Sequence, residues 1–171
     1  MDGSSQVESY ELQAFDRMIH AAFGRVTQGV SPSSLMLAYL DWTLHLATSP
    51  SKWIQLSVKA RRKILRWIVY SMASAANGNT QSCIEPLPQD HRFRDPMWKQ
   101  WPFNLYCTSF LLTQQWWHNA TTEVRGVSRH HEQLIEFTTR QMLDFFSPSN
   151  FAITNPEVIQ RTLECHGLNF L

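Results

Sequence analysis

Five prolines in this chain stand directly behind a residue type that caps helices, and four of these pairs, Ser31-Pro32, Ser49-Pro50, Asp95-Pro96 and Asn155-Pro156, read as start signals. A side-chain oxygen at the cap accepts from the free N–H groups of a first turn, and proline pre-sets φ for the first helical residue. The four pairs therefore mark helix starts spread along the chain. Between them the apolar residues recur at three and four, and neither an alternating strand pattern nor an internal repeat occurs. The fold class expected is all-α: a helical hairpin segment followed by a second helical block. With 43% apolar residues, the chain has enough to bury a core.

The first helix is expected from Glu8 to Gly24, with Leu12, Phe15, Ile19, Ala22 and Phe23 on one face, Glu8, Glu11 and Asp16 on the other, and Gly24 or Gly29 closing it. Residues 1–7 are expected to be loose. A second helix starts at Pro32 and is apolar on most faces from Leu35 to Ala47, so neighbours or another chain must cover it. Asp41 and His45, four apart, read as a surface ion pair rather than as a metal site. The third helix follows after a very short turn, runs from Pro50 to about Ala76, and packs antiparallel to the second. Its expected stripe is Trp53, Leu56, Ala60, Ile64, Trp67 and Ser71, with Lys52, Lys59, Arg61, Arg62, Lys63 and Arg66 largely off it.

No acidic residue occurs from Trp42 to Ile84, while six basic ones do, although the whole chain carries a net charge of only +1. Two readings stand. Lys59, Arg61, Arg62, Lys63 and Arg66 form the basic surface of an amphipathic helix that meets an anionic surface or acidic partner. Alternatively they form a solvated face partly paired with the acidic first helix. No recognised nucleic-acid-binding motif accompanies the charges, so no nucleic-acid partner is expected.

Asn77-Gly78-Asn79 stops the third helix, and the Pro-containing residues 77–89 read as a linker. The boundaries expected are 1–76, 77–89 and 90–171. The second block opens on D-H-R-F-R-D-P-M-W-K-Q-W, Asp90 to Trp101, where Trp98 and Trp101 are spaced to share a face and Pro102 ends the turn. Four of the seven tryptophans lie between residues 98 and 117, a cluster that either builds a core or docks a partner. An aromatic helix, Phe103 to Thr121, follows. After a loop, Ser128 caps a helix from Arg129 to Phe146 with a stripe of Leu134, Thr138, Met142 and Phe145, widened by Ile135 and Phe146, and a Glu136–Arg140 pair. Ser147 to Thr154 is a loop, and Asn155-Pro156 opens the last helix, stopped by Gly167. Leu168, Phe170 and Leu171 leave an apolar end.

No catalytic constellation is visible. The cysteines Cys83, Cys107 and Cys165 lack the small flanking residues of a nucleophile elbow, and His166 beside Cys165 cannot easily turn back as its base. The six glycines never cluster into a phosphate loop, and no metal-ligand spacing occurs. No catalytic residue, cofactor or metal is therefore expected. An odd cysteine count, no C-x-x-C and no basic-then-apolar leader fit a reduced, cytoplasmic protein. No stretch is long and apolar enough to span a membrane.

Two blocks carry a resemblance. The first is S-P-S-S-L-M-L-A-Y-L-D-W-T-L-H-L-A-T-S-P-S-K, Ser31 to Lys52. The second comprises D-H-R-F-R-D-P-M-W from Asp90, F-L-L-T-Q-Q-W-W from Phe110, and F-F-S-P-S-N-F-A-I-T-N-P-E-V from Phe145. They resemble the N-terminal region of class I polyhydroxyalkanoate synthases, the poly(3-hydroxybutyrate) polymerases. The motif positions are Asp90, Arg92, Phe93, Asp95, Pro96, Trp98, Ser147, Pro148, Asn150, Phe151, Asn155 and Pro156, in structural or interaction roles. The resemblance implies a helical region that precedes an α/β-hydrolase-like domain, where a Cys, an Asp and a His polymerise (R)-3-hydroxyacyl-CoA and release CoA. That machinery has no counterpart here. The expectation is a truncated, inactive N-terminal part, a cytoplasmic chain at polyester granules. Its expected partners are the synthase catalytic domain, a synthase dimer partner, a granule-associated protein and the granule surface. The alternative is a stand-alone helical module that uses its basic helix to bind the granule or a partner protein.

Overall fold

The computed structural model describes Met18, residues 30–77 and residues 81–167. The helix expected over Glu8 to Gly24, the stop at Gly78-Asn79, and Leu168, Phe170 and Leu171 lie outside the described residues, apart from a helical Met18. The described chain forms α1 (Pro32–Ala47), α2 (Pro50–Asn77), α3 (Phe103–Thr121), α4 (Arg129–Phe145) and α5 (Pro156–Glu164). Short 3₁₀ turns occupy Pro96–Lys99 and Pro148–Asn150, and there is no strand among the described residues.

The helices start where the cap pairs place them, but the side-chain cap bond forms at only some of them. Asp95 accepts from the Met97 N–H at 2.8 Å, Ser128 from the His131 N–H at 3.2 Å, and Asn155 from both Glu157 and Val158. Ser31 stands at the start of α1, but its hydroxyl bonds Ser33. The Ser49 hydroxyl donates to the His45 carbonyl at 2.6 Å and so closes α1, while its carbonyl accepts from the Lys52 and Trp53 N–H groups and opens α2.

Thr48 and Ser49 alone join α1 to α2, as the paired start signals require. The two helices nevertheless touch each other little: α1 lies against α4, and α2 against α3. Leu46 and Leu56 explain this. Both insert beside Ala120 and Val124, with Trp42, Trp116 and Trp117 around them, so the first block buries part of its apolar surface on the second. The Trp42 indole N–H donates to the Ala120 carbonyl at 3.0 Å and pins α1 there. A second core gathers Phe93, Trp98, Phe110 and Leu111, flanked by Ile84, Phe103 and Cys107.

Three expectations about faces are corrected. On α2, Trp53 and Ile64 are exposed, and the packed face runs through Lys52, Leu56, Lys59, Lys63, Trp67, Tyr70 and Ser74. These residues sit at an equally good helical spacing, and the lysines fit because α3 offers them acceptors. Lys52 donates to the Thr122 carbonyl at 2.8 Å, Lys59 to Asn119 and Lys63 to Gln115. On α4 the core face centres on Ile135, fully buried, while Met142, Phe145 and Phe146 are exposed. Polar contacts set that rotation. His131 reaches Asp41 on α1, and Glu136 pairs with His118 on α3 at 2.9 Å rather than with Arg140. Finally, Trp98 is 2% exposed and Trp101 56%. The turn at Pro96–Lys99 ends before Trp101, and extended backbone at Gln100 (ψ 149°) turns the later ring away from the earlier one.

Candidate interaction site

Arg92 is the centre of the motif residues. Its guanidinium donates through Nε and Nη2 to both oxygens of Asp90, at 2.9 and 2.7 Å, and through Nη1 to Asp144 Oδ1 at 2.8 Å. Gln114 Nε2 donates to the same Asp144 oxygen at 2.8 Å. The guanidinium also lies over Phe93 and Phe110, 5.7 and 5.2 Å from their centroids. Bidentate, charge-assisted bonds of this kind fix geometry as well as energy. They hold the Arg92 pKa above its ordinary value, the bond to Asp90 contributing most. Burial pushes the Asp90 carboxyl up, but the Arg92 bonds outweigh it and leave the pKa below the usual carboxylate value.

Around this junction the remaining motif residues build walls and turns. Phe93 meets Trp98 edge to face at 4.9 Å. Asn150 Nδ2 donates to the Asp144 and Phe145 carbonyls at 2.8 and 3.1 Å. Ser147, fully buried, bonds Ser149, and Pro148 starts the 3₁₀ turn. Thr154 donates back to the Pro148 carbonyl at 2.6 Å, and Asn155 Nδ2 to the Ser149 carbonyl at 2.8 Å. Pro156 is buried; Phe151 is exposed. Asp90 to Trp98 and Phe145 to Pro156, far apart in sequence, thus become one locked unit through Arg92 and Asp144.

The residue that sequence reasoning missed is Asp144. A signal was present: an acid in the last turn of a helix opposes the negative end of the helix dipole, so it needs a cation nearby. Also missed were Asn104, buried and donating to Tyr70 and Ser74, and His131, 2.6 Å from Asp41. Asp41 forms the predicted pair with His45 at 3.2 Å and also accepts from the Ser128 N–H. The His131 bond is the main reason its pKa lies below the ordinary value.

The thiols are placed for packing. Burial pushes the Cys107 pKa up to about 12, and burial raises that of Cys83 as well. A thiol so raised is a poor nucleophile at neutral pH. Cys165 is exposed and caps the C-terminus of α5, followed by His166 and Gly167 at positive φ. A cleft of about 390 Å³ opens between residues 84–90, α3 and α4, walled by Ile84, Leu111, Trp117 and Leu143 and edged by His118 and Arg140; no cysteine or serine lines it.

The basic helix divides in two. Lys59 and Lys63 point at α3, whereas Arg61, Arg62 and Arg66 are exposed. Ile54, Leu65, Ile68, Val69 and Met72 are exposed on the same helix, as are Leu37, Leu40 and Leu44 on α1. The cover that so apolar an α1 requires is incomplete among the described residues.

Comparison with known proteins completes the picture. Residues 89–171 match a family model described as the N-terminus of poly-beta-hydroxybutyrate polymerase (PhaC), and residues 10–52 match one described as poly-beta-hydroxybutyrate polymerase N terminal. A poly(3-hydroxyalkanoate) polymerase of Methylorubrum extorquens is 32% identical over 123 residues, 71% of this chain and 20% of the relative. A polymerase subunit PhaC of Rhizobium etli is 31% identical over 94 residues, 51% of this chain and 15% of its own length. The chain thus spans a fifth or less of the length of these curated relatives. No solved structure matches it.

Proposed function

The chain belongs to the poly-beta-hydroxybutyrate polymerase family through that family's N-terminal regions, and from this premise we propose that it is a non-catalytic docking platform of a polyhydroxyalkanoate synthase. In this reading it associates with the synthase catalytic domain, supports dimerisation, and brings the assembly to polyester granules. The observation that carries it is the exposed apolar surface of α1 and α2 beside Arg61, Arg62 and Arg66. Leucine and isoleucine side chains left bare in this number mark a surface that another surface covers. Guanidinium groups on apolar stems suit a boundary between water and an apolar phase.

Two measurements test it. Incubated alone with 3-hydroxybutyryl-CoA, the chain is expected to release no CoA above background; turnover would overturn the non-catalytic role. In cells that store polyester, the chain is expected at granules. Arg61→Glu, Arg62→Glu and Arg66→Glu together are expected to disperse it, while unchanged localisation would remove the granule role. These three are the right substitutions because Lys63 holds α2 to α3.

A further inference from the structure

The locked turn from Asp144 to Pro156 combines polar side chains that bond within it and apolar ones that do not. Its polar side chains Asp144, Ser147, Asn150 and Asn155 make hydrogen bonds within the turn or with Arg92, with Ser147 fully buried and Asn150 at the surface. Phe145 is 69% exposed and Ile153 85%, with Phe146 and Phe151 exposed as well. Phe145 and Phe146 meet edge to face at 5.2 Å. A turn held this firmly by polar bonds loses little entropy when its exposed rings are covered. Rigid, pre-positioned aromatic groups are what binding hot spots are made of. No run of cations borders these residues, in contrast to the arginines of α2.

We infer that this aromatic turn is the seat of the polymerase's catalytic part, and that the α1–α2 face is left for a different partner. The inference rests on the platform reading above and assigns a face to it. The occupant follows from the relatives. They carry four fifths or more of their length outside what this chain matches, and the match to the model of the polymerase N-terminus runs through the turn to residue 171. The polypeptide that comes next in a polymerase therefore follows α5, the helix that begins at the end of the turn with Pro156. The turn is thus the exposed apolar surface that the following polypeptide meets soonest along the chain.

The test uses the full chain co-expressed with the Methylorubrum extorquens polymerase from which the matching N-terminal region has been deleted. The wild-type chain is expected to co-purify with it. Phe145→Ser with Ile153→Ser is expected to weaken that association at least tenfold, with helical content unchanged by circular dichroism. Arg61→Glu, Arg62→Glu and Arg66→Glu together are expected to leave it intact. A photo-crosslinker placed at Ile153 is expected to capture the polymerase and one at Ile68 to miss it, a readout that needs no destabilising change. Retention of binding by the Phe145/Ile153 variant, loss of binding in the arginine variant, or capture from Ile68 alone would overturn the face assignment and leave the platform reading standing. Failure of the wild-type chain to associate would overturn both. Concentration-dependent self-association that the Phe145/Ile153 variant abolishes, without polymerase capture, would give the turn to a second copy and overturn the inference.

Discussion

Arg92 is the side chain whose removal should cost most among the motif residues. Substitution by alanine leaves Asp90, nearly buried, and Asp144 without their cation, and opens space over Phe93 and Phe110. Stranding partly buried carboxylates in this way is expected to lower stability by about 2–3 kcal/mol, read as a shift in urea midpoint at constant slope. The junction also has a pH signature. Asp90 and Asp41 both titrate below the ordinary carboxylate value in the folded chain. Each then contributes stability that is complete above the unfolded pKa of about 3.9 and is lost as pH falls through the lower folded value. Unfolding titrations should therefore show stability falling below about pH 4, and Asp90→Asn should flatten that acid limb.

At the level of elements, two backbone devices can be tested separately. Asn155 caps α5 with its oxygen and ties Ser149 with its nitrogen, so Asn155→Ala is expected to cost about 1–2 kcal/mol by chemical denaturation. Gly126 adopts φ +98° between α3 and α4, and a Cβ there would stand 2.5 Å from His45 Nδ1. Gly126→Ala is therefore expected to destabilise by more than about 1 kcal/mol, since it meets both a steric and a conformational penalty. The helices themselves were legible beforehand. Pro32, Pro50, Phe103, Arg129 and Pro156 start where cap chemistry and apolar spacing place them. Rotation about the helix axes was less so. On α2, Trp53 and Ile64 looked like core by type, yet Lys52, Lys59 and Lys63 took the inner face because Thr122, Asn119 and Gln115 wait opposite. Which acceptors face a lysine is a fact about the neighbouring helix, and periodicity within one helix does not contain it. The stretches Asp90 to Trp98 and Phe145 to Pro156 stood out in the sequence, but their meeting through Asp144 depends on a contact 52 residues long.

Among the described residues, two buried apolar clusters stand beside a broad exposed apolar surface. Leu40→Ser with Leu44→Ser should leave the urea midpoint nearly unchanged, because both residues are exposed. The same variant should lower dye binding to apolar surface and reduce self-association in sedimentation. A large loss of stability instead would mean that these leucines are already covered by the chain itself.

The Arg92–Asp144 bond spans 52 positions. Closing so long a loop is unfavourable until α3 and α4 have paired, and only then does the bond repay its ordering. It behaves as a latch that falls shut last. Arg92→Ala should therefore speed unfolding while leaving the refolding rate nearly untouched. The ionic knot would then set the lifetime of the assembled state rather than the pace of its arrival.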